Sequence, residues 1–236
     1  MTKFALLGAA LLGVAAPAFA QEPTILTSEQ EFTRVEANGR AALDAGRIGD
    51  ALLIAQDALT FARREFGPAS QLAFRAMNDL AVVRLVKGES AAALPMALEA
   101  AGGLERLAGP DHPDTVNAMA NLAQLYIALR RPVEAEPLLR RVYTTRVRTL
   151  GAAREGTLTA LLEWAVFMSR EHRLREIAGE LQQGAATART ALGADNDTAR
   201  DLSEAAEAAR GAGSSRTGAG APAEGPRGQE RVRAGR

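Results

Sequence analysis

The sequence predicts an all-α superhelix, a solenoid of helical hairpins closed by a C-terminal capping helix. Three observations carry that expectation. The 236 residues are 47% hydrophobic yet only 4% aromatic, and the apolar share is mostly Ala and Leu, strong helix formers, with few of the β-branched and aromatic runs that favour strands. Glycines recur at a fixed interval, since Gly67, Gly109, Gly151 and Gly193 lie 42 residues apart. Between them the apolar residues follow a helical period.

From the start of the chain, Lys3 precedes an apolar run from Phe4 to Ala16, followed by Pro17 and Ala18-Phe19-Ala20. One positive charge, an apolar core of about thirteen residues and small residues at the cleavage position read as a secretory signal peptide over residues 1–20, cut after Ala20. The run falls short of the roughly twenty apolar residues of a membrane span, which leaves an uncleaved anchor as the alternative. Only Lys3 and Lys87 are lysines, an Arg and Ala bias of high-GC bacterial coding, so the expected location is periplasmic or secreted. With no Cys, an oxidising compartment finds nothing to oxidise.

The repeat organises residues 21–210 into units of about 27–66, 67–108, 109–150 and 151–192, with a cap over 193–210. Leu80-Ala81, Leu122-Ala123 and Trp164-Ala165 share one register; so do Ala51, Ala93, Ala135 and Ile177, and Gly46, Gly88, Arg130 and His172. In the third unit Val116, Met119, Leu122, Ala123 and Tyr126 form the stripe of a first helix, and Ala135, Leu138, Leu139 and Val142 that of a second. Asp111 or His112 can cap the first, with Pro113 and Asp114 in its opening turn, and Pro132 suits the first turn of the second. Each unit is then two helices of about 17 residues, roughly 25 Å long, neither able to bury its stripe alone. Asn196 to Arg210 supplies the end cap, with Leu202, Ala205, Ala206 and Ala209 inward and Asp201, Glu204, Glu207 and Arg210 outward. Residues 211–236, rich in Gly, Ala, Pro and Arg without an apolar period, read as a disordered tail. Trp164 is expected in the core, and Leu162 with Val166 could form an apolar spot in the groove.

The strings Gly109-Pro110-Asp111-His112-Pro113-Asp114-Thr115, Asn121-Leu122-Ala123-Gln124-Leu125-Tyr126 and Glu134-Ala135-Glu136 resemble the 42-residue, kinesin-light-chain type of tetratricopeptide repeat. The second unit keeps Asn78-Asp79-Leu80-Ala81 and Gly88, the first Gly46 and Asp50-Ala51, and the fourth Gly151, Thr157 and Ala165, so the resemblance covers about residues 27–192. The period exceeds the roughly 34 residues of an ordinary tetratricopeptide repeat by about one extra turn per helix. A HEAT or armadillo array has a similar period; small Ala at the packing position after a Gly turn favours the tetratricopeptide geometry.

Catalytic signatures are scarce. His112 and His172 have no flanking ligand spacing, so no metal site is expected. Gly151 to Gly156-Thr157 echoes a phosphate loop but lacks its lysine. No Gly-x-Ser-x-Gly occurs, and no carboxylate stands in an apolar sequence setting that would mark a raised-pKa acid. The expectation is a chain without enzyme activity or cofactor. The balance of 28 basic and 28 acidic residues gives no reason to expect nucleic acid as a partner.

What remains is a surface. The face of each first helix opposite its core stripe would line a groove: Arg75, Asn78, Asp79 and Val82 in the second unit, Asn117, Ala120, Asn121 and Gln124 in the third, Thr159, Leu162, Glu163 and Val166 in the fourth. Asn side chains offer donor and acceptor together and can pair with the backbone of an extended peptide. The resemblance implies Asn at the positions of Asn78 and Asn121. The expected function is therefore a scaffold that takes a protein or peptide partner in the groove, with a homo-oligomeric structural protein of the cell envelope as the alternative.

Overall fold

The computed structural model describes residues 27–211. The expected signal peptide, residues 1–20, and all but the first residue of the expected tail lie outside the described residues. Among the described residues nine α-helices follow in order: α1 (Ser28–Asp44), α2 (Ile48–Phe66), α3 (Gln71–Val86), α4 (Ser90–Ala108), α5 (Pro113–Ala128), α6 (Pro132–Leu150), α7 (Glu155–Arg170), α8 (Ala178–Leu192) and α9 (Asp197–Gly211). No strand occurs among the described residues. Each helix packs on the next, and odd-numbered helices also meet across the repeat, α1 with α3, α3 with α5 and α7 with α9. Odd helices thus form one layer and even helices the other, with the core between them.

The helix ends explain the repeat. In all four odd helices that begin a hairpin, the N–H three residues past the end turns back to a carbonyl five residues earlier: Arg47 to Ala42, Glu89 to Arg84, Arg131 to Tyr126 and Arg173 to Met168, each at 2.8 to 2.9 Å. This closure needs a left-handed residue just before the donor. Gly46 (φ 70°) and Gly88 (φ 89°) supply it without strain, whereas Arg130 (φ 59°) and His172 (φ 58°) adopt it despite their side chains. At the starts, Ser70 accepts from the Ala73 N–H at 3.1 Å, and His112 Nδ1 accepts from the Asp114 N–H at 3.2 Å. His112 is therefore the cap; Asp111 instead pairs with Arg148.

The stripes pack as their spacing requires. Val116, Met119, Leu122, Ala123 and Tyr126 are buried on α5, and Ala135, Leu139 and Val142 on α6, with Leu138 half-buried. Ala51, Ala93 and Ala135 are wholly buried, so that column has no room beyond a methyl group. Ile177 occupies it in the fourth copy, and there the chain enters through a 3-10 turn, Leu174–Ile177, before α8. In α9, Leu202, Ala206 and Ala209 are buried, while Asp201, Glu204, Glu207 and Arg210 face solvent. Gly211, expected to open the tail, closes α9.

One joint departs from the regular stack. Helices α5 and α7 have no Cα pair within 8 Å of each other, and Val116, Met119, Val142 and Ala160 form a small core of their own there. Bulk accounts for it. Trp164 stands in the column of Leu80 and Leu122 and packs at 5.9 Å against the Tyr143 ring, and Arg146 stands in the column of Ala62, Leu104 and Ala188, all buried. Trp164 is buried, as its size leads one to expect, although its Nε1–H finds no acceptor among the described residues.

Candidate functional site

The outward faces of the odd helices enclose a groove of about 510 Å³. Of the eight polar residues among the twelve the sequence singles out, six line it: Arg75, Asn78 and Asp79 on α3, Asn117 and Asn121 on α5, and Glu163 on α7. Gln124 and Thr159 do not; Gln124 is half-buried elsewhere on α5, and the Thr159 hydroxyl donates back to the Glu155 carbonyl at 3.0 Å. Val82 and Ala120 join the lining. Leu162 packs half-buried against the core and Val166 is exposed away from the groove, so they form no apolar spot in it.

Four further charged residues stand in its wall, beside apolar residues of α1 to α4 such as Val35, Ile54 and Leu104. Glu36 and Arg40 enter from α1, Asp114 from the first turn of α5, and Arg146 from α6. Glu36 and Arg40 stand one repeat before Asn78 and Val82, so the same 42-residue step, carried back into the eroded first unit, points to them. Arg146 carries no such signal, because its column is otherwise apolar. It reaches through the open α5–α7 joint and donates to Asn117 Oδ1 at 3.1 Å and to the Gly156 carbonyl at 2.8 Å.

The polar groups form a chain across three helices. Asn121 Nδ2 donates to Asn78 Oδ1 at 3.1 Å, and Asn78 Nδ2 donates to Asp79 Oδ1 at 3.3 Å. Arg75 donates to Glu36 at 2.6 Å and lies 3.8 Å from Asp114, which also accepts from Gln71 at 2.8 Å. Asn78 is buried to 7% exposure, so its orientation is fixed by these partners. Each amide still has unspent capacity: Asn121 uses one N–H of its two, and its Oδ1 is unused within the described network.

The carboxylates overturn the expectation that none would be perturbed. Burial pushes Glu36 up to about 7 from an ordinary 4.5; Arg75 and Arg40 pull it back, while Asp79 and Asp114 push it further. Burial likewise raises Asp79, against Arg40, the Asn78 amide and Arg75, and Glu163, against Arg146. Sequence setting could not show this, because the burial comes from neighbouring repeats leaning together. The Gly156-Thr157 segment has a structural explanation: the Thr157 hydroxyl donates to the Gly151 carbonyl at 2.9 Å and ties the turn shut. Among the described residues no group of three His, Asp or Glu side chains could hold a metal ion, and no helix is long and apolar enough to cross a membrane.

A two-layer stack of helical hairpins with an amide-lined face defines a helical-repeat protein, and comparison with known proteins narrows the class. Residues 72–146 match the tetratricopeptide repeat family. The fold is similar to the crystal structure of nearly identical TPR-like repeats from a Podosopora anserina chain described as a kinesin light chain, at 16% identity and a TM-score of 0.69, covering 79% of this chain and 89% of that one. It is also similar to BtubC (BKLC) from P. vanneervenii, at 13% identity and a TM-score of 0.61, covering 86% and 87%. No curated protein matches the sequence significantly. Residues 72–146 thus carry tetratricopeptide repeats, and the fold of the described residues is similar to that of the kinesin-light-chain TPR-like repeats.

Proposed function

We propose that this chain is a non-catalytic scaffold, exported to the periplasm or cell exterior, that takes a segment of a partner protein along the groove of its odd helices. One observation carries the reading: the amide chain Asn121–Asn78–Asp79 bridges two repeats at the floor of a groove large enough for several residues of a peptide. A repeat solenoid uses such a face because successive copies present the same column at even spacing, which suits an extended backbone. The raised carboxylates serve recognition in this reading, since no nucleophile or metal set accompanies them. Neither a cofactor nor nucleic acid is part of the proposal. Export rests on Lys3 and the apolar run from Phe4 to Ala16; sequencing the N-terminus of the protein from an envelope fraction should find Gln21 first.

The test is a pull-down from envelope extract with tagged full chain, beside the combined variant Asn78→Ser, Asn117→Ala, Asn121→Ala. A partner retained by the natural chain and lost by the variant at unchanged helicity supports the groove; equal retention by both removes it. Self-association is the weaker alternative, because α9 ends the described stack with Asp201, Glu204, Glu207 and Arg210 facing solvent and offers no oily end to a second copy. Sedimentation over a concentration series decides that point, and a strict monomer ends the alternative.

A further inference from the structure

The charged side chains of the groove fall into two sets. Its inner arginines are spent on the protein itself: Arg75 on Glu36 and Asp114, Arg146 on Asn117 and the Gly156 carbonyl. Two of its carboxylates are not. Among the described residues Asp79 accepts only the amide of Asn78 and forms no ion pair, and Glu163 has neither a hydrogen bond nor an ion pair, feeling Arg146 only through space. Arg40, exposed at the rim, acts on Glu36 and Asp79 in the same distant way. Partly buried carboxylates without a cation bear a desolvation cost that an incoming cation would remove.

Their placement is regular. Asp79, Asn121 and Glu163 occupy one column, 42 residues apart, on α3, α5 and α7. The groove thus offers acid, amide, acid at successive repeats. Directly packed helices lie about 10 Å apart; α3 and α5 pack so, while α5 and α7 stand wider, which puts the two acids at least roughly 20 Å apart. An extended chain covers that distance in about six to eight residues at ~3.3 Å each. Residues an even number apart in an extended chain also point to the same side.

Resting on the groove reading above, we infer that the partner is an extended basic segment carrying two Arg or Lys side chains six or eight positions apart, one received by Asp79 and the other by Glu163, with its backbone held between them by Asn121. Charge complementarity selects this occupant. An acidic segment finds one unspent cation, Arg40 at the rim of α1; to gain a second it would have to take Arg75 from Glu36 or Arg146 from Asn117.

The test uses the full chain and immobilised decapeptide libraries, randomised except at two fixed positions, 2 and 8 in one set and 1 and 9 in a second. One library fixes Arg at both, a second replaces one Arg with citrulline (the same shape without the charge), a third fixes Glu at both, and a fourth places the two Arg three apart. The expected result is retention by the first library, weakened about tenfold by each citrulline and by the shorter spacing. Asp79→Asn should erase the preference at one fixed position and Glu163→Gln at the other, with binding to the remaining Arg intact. Retention without charge preference, preference for Glu, or preferences that survive both variants would overturn the inference while leaving the groove as a peptide site. Retention of no library would overturn the groove reading and the inference together. The citrulline comparison needs no variant, so an unfolded mutant cannot obscure the outcome.

Discussion

Replacing Glu36 with Gln should flatten the dependence of stability on pH. The Glu36 side chain is only 7% exposed, and burial holds its proton up to about 7 although Arg75 donates to it at 2.6 Å. A carboxyl whose native pKa lies above its unfolded value binds more protons folded than unfolded between those two values, so its contribution is complete below about 4.5 and lost as pH rises through 7. A rise from 4.5 to about 7, at ~1.36 kcal/mol per pKa unit, sets that loss at about 3 kcal/mol. With a urea dependence of about 2 to 3 kcal/mol per molar, the natural chain should lose about 1 M more in its unfolding midpoint between pH 5 and pH 8.5 than Glu36→Gln does. The Gln amide can still accept from Arg75, so the comparison isolates the charge. Glu163 titrates in the same sense in both proteins and cancels, whereas Asp79, which repels Glu36, is raised less in the variant and adds to the flattening. Parallel pH profiles for the two, followed by circular dichroism, would refute the reasoning that Glu36 is a buried, under-compensated acid.

Three further outcomes follow from the packing. Arg130→Gly and His172→Gly relieve left-handed side chains and should each stabilise by about 1 kcal/mol, read as a higher urea midpoint; a lower midpoint would mean that these side chains contribute more than their backbone strain costs. Gly103→Ala places a methyl group 2.5 Å from the Phe74 ring and should destabilise by about 1 to 3 kcal/mol, whereas Gly179→Ala, with open space around it, should not; equal effects would contradict the close approach of α3 and α4. Arg146→Met removes the hydrogen bonds that cross the α5–α7 joint and should speed amide exchange in α7 while leaving α3 unchanged, and uniform exchange through both helices would show that Arg146 does not brace the joint.

Much of the fold was legible because a solenoid writes one solution several times over. The glycine columns marked helix ends, and the substitution of Arg130 and His172 in the Gly46 column did not break the turn, since its hydrogen bonds outweigh the strain. The core stripe of α5 could be read from spacing alone, because each residue meets its own repeat and the next at a fixed angle. The groove was partly legible for the same reason: the columns of Asn78, Asp79 and Asn121 name themselves once the period is known. Glu36 belongs to the Asn78 column and Arg40 to that of Val82, but the first unit has lost the strings that would draw attention to it. The open joint, and Arg146 reaching through it, come from bulk at Trp164, Tyr143 and Arg146 acting together, a three-body effect that no column displays. The raised carboxylates were illegible for a related reason, as burial of a groove residue is set by how far neighbouring copies lean toward each other.

The account turns on whether a bound segment lies against the amide chain of the groove. Titrating isotope-labelled full chain with a decapeptide recovered from the double-Arg library, and following the side-chain amide resonances of Asn78, Asn117 and Asn121, tests this directly. Those three signals should shift first and saturate together. If they stay in place while signals from the solvent faces of α4 and α6, around Leu98 and Val133, move instead, the partner binds the opposite layer and the groove is not its site.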